Sequence, residues 1–270
     1  MTVQAPAARV AVITGSTSGI GLAIARRLCR DGFHVVVTGR NVKRGETVAA
    51  ELGAAATFVP LDLTTPGAAA RLMVTAEARL GRIDVVVNNA AIDHTGDLLD
   101  VPAHVTQQVF QINTLAAVAA LQEGARRMQQ GGAIINITSR LASAGVPTMA
   151  IYSATKGALA ALTTAAAVEL APRNIRVNAI APGMTQTPLY DAWLAQHDDP
   201  AETERSVTAA IPLGRLARPE DIAAPSASWP PTRRHTSPEP PSPSTAATPH
   251  ADQMIPRSRL PAGSALTVVK

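Results

Sequence analysis

Arg9-Val10-Ala11-Val12-Ile13-Thr14-Gly15-Ser16-Thr17-Ser18-Gly19-Ile20-Gly21-Leu22-Ala23-Ile24-Ala25-Arg26-Arg27-Leu28 carries the decision about the fold. Residues Arg9–Ile13 are a short β-branched apolar run, as a parallel strand buried on both faces requires. From Leu22 onward apolar residues return at helical spacing, and Gly32 closes the run. Between them lies a glycine-rich turn. Glycines there let the main chain approach a pyrophosphate at a helix N-terminus, where unpaired N–H groups and the macrodipole favour an anion. Gly15, Ser16, Thr17, Ser18, Gly19, Ile20 and Gly21 are therefore the expected dinucleotide contacts. A second strand is expected at Phe33–Thr38. An acidic residue at its end would bond the ribose 2′-hydroxyl of NAD, but the chain reads Thr38-Gly39-Arg40, then Lys43 and Arg44. A small residue followed by Arg leaves room and charge for a 2′-phosphate. NADP(H) is favoured over NAD(H); the plainer role for Arg40 is to cap a solvated loop.

Further along stands Tyr152-Ser153-Ala154-Thr155-Lys156, with Ser139 thirteen positions before Tyr152. On a helix, positions i and i+4 share a face, so the Lys156 ammonium can lie beneath the Tyr152 phenol. A phenol ordinarily titrates near pKa 10, and a fixed positive charge beside it favours the phenolate. Ser139 can hold a carbonyl or hydroxyl oxygen while Tyr152 exchanges a proton with it. That is a proton-transfer site for a ketone and its alcohol.

These residues together resemble the short-chain dehydrogenase/reductase family through most of the first 222 residues. The likeness includes Leu61-Asp62-Leu63, where Asp62 would contact the adenine amino group and Leu63 is counted with it. It includes Asn88-Asn89-Ala90-Ala91 after a strand at Ile83–Val87, with Asn89 and Ala90 as cofactor contacts. It also includes Asn113 on the following long helix. Pro182-Gly183-Met184-Thr185-Gln186-Thr187 is similar to the family's Pro-Gly-x-x-x-Thr, so Pro182, Gly183, Thr185 and Thr187 would cradle the nicotinamide, with Tyr152 and Lys156 also touching the cofactor. The resemblance assigns Asn113, Ser139, Tyr152 and Lys156 to catalysis, Asn113 through a water-mediated proton relay by way of Lys156. Singly, Asn88, Asp62 and Asn113 would read as loop caps or buried hydrogen-bond partners. Two positions depart from the pattern. Ala91 adds a methyl group where glycine is usual, and Arg140 follows the serine, where it could face an acidic substrate or form a surface salt bridge. Overall the chain is similar to 3-oxoacyl-carrier-protein reductases and secondary-alcohol dehydrogenases.

Strand-like runs at Arg9–Ile13, Phe33–Thr38, Ala56–Pro60, Ile83–Val87, Ala133–Thr138 and Arg176–Ala181 alternate with Ala-rich helical patterns. Such alternation implies βαβ units, hence one α/β domain with a doubly wound, Rossmann-like parallel sheet covered by helices on both faces. The 270 residues suffice for a substantial core. Cys29 is single, so an intramolecular disulfide is impossible. No charged-then-apolar leader and no apolar run of membrane-spanning length is evident, which points to the cytoplasm and away from a membrane. No metal is called for by these motifs. Five basic and two acidic residues at or after Pro225 carry +3 of the net +4, leaving 19 Lys/Arg against 18 Asp/Glu elsewhere. With seven aromatics and no basic stripe, nucleic-acid binding is not supported. The expected partners are a small carbonyl or alcohol substrate and, by resemblance, further copies of the chain. Leu189–Leu213 is expected to form a mobile lid, with Tyr190, Trp193 and His197 as pocket wall, helix core or surface.

After Ile222 the family pattern stops. Residues 1–224 are read as the domain and 225–270 as a disordered Pro/Ser/Thr/Arg-rich tail holding ten of the 21 prolines, a density that forbids an interior strand. The final strand is therefore expected to be missing. A frame shift would explain this. If Ala227–His235 is encoded GCT-TCC-TGG-CCT-CCG-ACG-AGG-CGT-CAT, reading from the third base gives Phe-Leu-Ala-Ser-Asp-Glu-Ala-Ser. Synonymous codons continue it as Tyr-Ile-Thr-Gly-Ala-Thr-Leu-Ala-Val-Asp-Gly-Gly, which resembles the family's last segment. The alternatives are a catalytically impaired dinucleotide-binding scaffold and a partner-binding protein whose Pro-rich tail is the working part.

Overall fold

The structure, a computed structural model, describes residues 8–227. Six strands form one sheet: β1 (Val10–Ile13), β2 (His34–Gly39), β3 (Ala56–Pro60), β4 (Val85–Asn88), β5 (Gly132–Ile137) and β6 (Ile175–Ile180). All pair in parallel, in the order β3-β2-β1-β4-β5-β6. The chain thus winds outward from β1 in one direction, returns, and winds outward in the other. Each strand lies within two residues of its expected position, because continuous β-branched runs mark strands buried on both faces.

Helices join the strands: α1 (Gly19–Arg30), α2 (Val42–Leu52), α3 (Ala68–Leu80), α4 (Ala103–Phe110), α5 (Ala116–Arg127) and α6 (Ala150–Leu170). After β6 come α7 (Pro188–Leu194), α8 (Pro200–Ala209) and α9 (Pro219–Ala227). One core layer sets Ile24 and Leu28 of α1, Val48 of α2 and Ile222 of α9 against Ile13, Val37, Val87 and Ile135. The opposite layer sets Leu72 and Met73 of α3, Ala120 and Leu121 of α5 and Ala166 of α6 against Val12, Val86 and Ile134. The sheet is therefore apolar on both faces, and the polar ends of its strands are left for chemistry. Among the described residues no helix is long and apolar enough to cross a membrane.

Two features differ from the sequence reading. The helix expected around Asn113 is interrupted between α4 and α5 by a π turn at Gln111–Leu115. The helical run after Pro219 also continues through Pro225 to Ala227, three residues past the expected end of the domain. The seventh strand that the resemblance calls for is not among the described residues, and the expected tail lies outside them from residue 228.

Candidate active site

Strand order reverses between β1 and β4, and a crevice at the carboxyl ends of strands around that point is the usual ligand site of such a sheet. The glycine-rich turn lies there. Ser16 is fully buried; its hydroxyl donates to Ile13 O at 2.9 Å and accepts from Thr38 N at 2.9 Å. It therefore ties the turn to β2 and does not itself face the crevice. Asn89 braces the other side, donating from Nδ2 to Thr14 O and Gly15 O at 3.0 Å each. The N–H groups of Asn89 and Ala90 meet the Thr14 hydroxyl at 3.0 and 3.1 Å.

Gly19 has φ +54, a left-handed conformation that glycine adopts without cost. At Gly21 a Cβ would fall 2.4 Å from Gly15 O and 2.5 Å from Asn89 Nδ2, so a side chain there would break the turn. Ser18, at the N-cap of α1, makes no side-chain cap bond, which leaves the first N–H groups of the helix for an anion. A Cβ on Gly19 would lie 3.4 Å from Thr187 Cγ2, so the Pro182–Thr187 segment reaches the same turn. Thr187 also caps α7, its hydroxyl accepting from Tyr190 N at 3.2 Å. The turn, the uncapped helix and Thr187 together fit a dinucleotide.

Its adenosine end would lie toward β2 and β3. Asp62 is exposed, and its Oδ1 accepts from the Thr64 N–H at 2.9 Å and hydroxyl at 2.8 Å. Those two bonds, with the Arg40 charge behind them, hold its carboxyl below the ordinary range. Oδ2 bonds no other described residue. Leu63 follows directly, and Arg40 is exposed just beyond β2.

The catalytic candidates converge at the ends of β5 and α6. Arg140 N donates to Pro182 O at 3.0 Å, joining the Ser139 loop to the segment after β6. Ser139 Oγ accepts from Leu141 N at 3.1 Å. Lys156 is 2 % exposed, and its Nζ donates to Ile137 O at 2.8 Å. Burial lowers its pKa to about 8. Burial, and after it the Asp93 charge, push the Tyr152 phenol up to about 12, while the Ser139 hydroxyl pulls the other way. The Lys156 Nζ lies 5.6 Å from the Tyr152 ring centroid, and one of its three N–H groups is used on Ile137 O.

Asn113 is buried in the π turn with its amide fully engaged. Oδ1 accepts from Ile92 N at 2.8 Å; Nδ2 donates to Ile92 O at 2.9 Å and to Thr155 Oγ1 at 3.2 Å. Thr155 in turn donates to Tyr152 O at 2.7 Å. The amide therefore positions the loop after β4 against α6, and any relay from this residue must use its main chain. Thr155 and Asp93 were missed from sequence. Thr155 had a signal, being three residues from Tyr152 on one helix; Asp93 had none. Arg140 is exposed, and the salt bridge considered for it is not found among the described residues. In α7 Tyr190 is buried, with ring centroids 5.7 Å apart to Trp193 and 4.5 Å from Trp193 to His197.

Residues 9–198 match the family model described as short chain dehydrogenase. An uncharacterised oxidoreductase of Methylorubrum extorquens is 38% identical over 220 residues, covering 80% of this chain and 87% of the relative. A sorbitol dehydrogenase of Cereibacter sphaeroides is 35% identical over 222 residues, covering 79% and 87%. Among solved structures, the 3-ketoacyl-(acyl-carrier-protein) reductase of Brucella melitensis, complexed with NADH, superposes with a TM-score of 0.77. It is 30% identical, and the match covers 83% of this chain and 91% of that one.

Proposed function

The chain belongs to the short-chain dehydrogenase family, and from that membership we propose that it interconverts a secondary alcohol and a ketone at Ser139, Tyr152 and Lys156. The observation that carries this reading is the convergence of the Tyr152 phenol, the nearly buried Ser139 hydroxyl and the buried Lys156, whose Nζ lies 5.6 Å from the phenol ring. A bound nicotinamide dinucleotide supplies or accepts the hydride at the substrate carbon. Ser139 and Tyr152 hold the substrate oxygen, and in reduction Tyr152 gives it the proton. In oxidation Tyr152 must first release its own proton to water and then take the alcohol's, and the Lys156 ammonium, which uses one of its three N–H groups on Ile137 O, is the charge that favours the phenolate. Asn113 fixes the loop after β4, and its main chain is the part of it that can pass a proton through water to Lys156.

Gly15, Thr17, Ser18, Gly19, Ile20 and Gly21 hold the pyrophosphate, Asp62 and Leu63 the adenine, and Pro182, Gly183, Thr185 and Thr187 the nicotinamide. Arg40 at the end of β2 supports NADP(H) over NAD(H), since no acidic residue stands there to take a ribose hydroxyl. The sorbitol dehydrogenase relative supports an alcohol substrate. A homo-oligomer is part of the same reading: Ala154, Ala161, Thr164, Ala165 and Val168 make one exposed face of α6, small and largely apolar.

The test is absorbance of NADPH or NADH against a panel of ketones and secondary alcohols, beside thermal shift by the cofactor. The parent chain should turn over with NADPH preferred. Tyr152→Phe should lose about 10²-fold or more in turnover and keep the cofactor's thermal shift. Thermal shift without oxidation by the parent favours the non-catalytic scaffold, a reading supported by a sheet that ends at β6 among the described residues. Undiminished turnover by Tyr152→Phe removes the tyrosine from its role.

A further inference from the structure

The sheet has two outer strands, β3 and β6, and they are finished differently. β3 buries only Val59 and closes on exposed Pro60, which has no N–H to offer a further strand. β6 holds no proline, and its Ile175 and Val177 are 1 % and 4 % exposed. Asn174 O accepts from Gly132 N at 3.1 Å and Ile180 O from Thr138 N at 2.8 Å, so both carbonyls are turned to the β5 side. Alternate residues of a strand aim their main-chain groups to opposite sides, so Arg176 and Asn178 also face β5. The N–H and C=O groups of Ile175, Val177 and Ala179 face the open side, where no described strand meets them. A regular, largely buried edge of this kind is a template for one more strand.

The sequence holds a matching segment. In residues 228–261 no run of more than six is free of proline, whereas Ala262–Lys270 runs nine residues without one. Within it Ala265-Leu266-Thr267-Val268-Val269 is uncharged and rich in strand-forming types, so the proline density that bars an interior strand does not reach it. Its place in the chain allows the contact. Ile222 of α9 and Ile180 of β6 belong to one core layer, and α9 ends at Ala227. The 34 residues from 228 to 261 would span about 30 Å even as a random coil, roughly twice the ~17 Å radius of gyration of a domain this size. Charge sets the direction. Arg176 stands at the start of β6 with Nη2 buried and unbonded among the described residues. Like charges placed opposite each other destabilise a sheet, so Lys270 belongs at the other end, beyond Ile180, and the segment runs parallel to β6.

We propose that Ala265–Val269 adds in cis to the open edge of β6 as a parallel strand, its main chain bonding Ile175, Val177 and Ala179. The segment brings no anion for Arg176. The test is amide hydrogen exchange, read residue by residue by NMR, on the parent, on a chain shortened to residues 1–262 and on Val268→Asp. The amides of Ile175, Val177 and Ala179 should exchange about 10-fold slower in the parent than in either variant, as a tethered segment of Kd about 0.1 mM gives at an effective concentration of about 1 mM. That slowing should not change with protein concentration. Val12 and Val86, at the centre of the sheet, should exchange alike in all three chains and so report that each is folded; if the shortened chain does not fold, Val268→Asp carries the comparison. Equal exchange of the three edge amides in parent and variant, fast or slow, overturns the proposal. A slowing that grows with protein concentration assigns the edge to a second copy and overturns it as well.

Discussion

At Lys156 and Tyr152 burial acts on two groups of opposite charge type, and each is driven toward its neutral form. For Lys156 the folded pKa is about 8 against an ordinary 10.5. Below the folded value both states carry the proton, and the folded state bears the cost of a buried ammonium. As pH rises from about 8 toward 10.5 the folded chain has lost the proton while the unfolded chain keeps it, so this group makes stability rise with pH. The full span is worth about 3 kcal/mol at ~1.4 kcal/mol per unit. Tyr152, raised to about 12, acts in the opposite sense only above its ordinary value of 10. The melting temperature of the parent minus that of Lys156→Met should therefore increase between about pH 7 and pH 10, by several degrees. A constant difference would mean that Lys156 keeps its ordinary pKa. The i, i+4 pairing was legible in the sequence, but the burial of Lys156 and its bond to the main chain were not. The competing acceptor, Ile137 O, lies 19 positions away in the chain and reaches Lys156 only through the fold. The course of the loop after β4 was hidden for the same reason, since Asn113 holds Ile92 and Met149 meets Thr95 only through tertiary packing.

Among the elements, strands were readable because Val and Ile runs have few other uses in a sheet covered on both faces. The π turn was not. Gln111-Ile112-Asn113-Thr114-Leu115 holds ordinary helix-compatible residues, and what accompanies the irregular turn is tertiary: the Asn113 amide on Ile92 and the Thr114 hydroxyl on Thr155 O at 3.2 Å. Close packing of helix on strand was also invisible in composition. Gly124 in α5 would place a Cβ 2.6 Å from Val86 Cγ2 of β4. In an open helix Gly→Ala gains about 1 kcal/mol, but forcing a methyl into filled space costs about 1–3 kcal/mol. Gly124→Ala should therefore melt lower than the parent by a few degrees. Gly157 in α6 meets only Ala142 O at 3.7 Å, an ordinary contact, so Gly157→Ala should melt level with the parent or above it. Scanning calorimetry of the two variants checks the contrast, and equal shifts would show that α5 can move off the sheet.

For the molecule as a whole, the winding of the sheet followed from the alternation of strands and helices, whereas the fate of its last edge did not. β6 pairs with β5 on one side, and no described strand pairs with the other. That edge leaves main-chain groups in need of partners. Within β6, Arg176 is lowered by burial, and its Nη2 is buried without a hydrogen bond among the described residues. A buried cation without a partner is costly, so both facts ask for a further segment beside β6. The shifted reading near Ala227 offers one: Gly-Ala-Thr-Leu-Ala-Val-Asp-Gly-Gly has an apolar run that could pair with the edge and an aspartate that could meet the guanidinium. Burying apolar side chains gains ~1.5–3 kcal/mol each while each fixed residue costs about 1–2 kcal/mol, so the segment stabilises the chain only if the edge bonds and a partner for Arg176 are added to its burial. With those added, a surplus of about 2 kcal/mol at about 2–4 °C per kcal/mol for a chain of this size makes the frame-restored protein melt roughly 4–8 °C above this one. Sequencing the coding bases across Ala224 comes first: bases that cannot yield that phrase in either shifted frame sink the idea. If they can, an equal melting temperature for the two proteins would show that the edge of β6 is already satisfied by the chain as it stands.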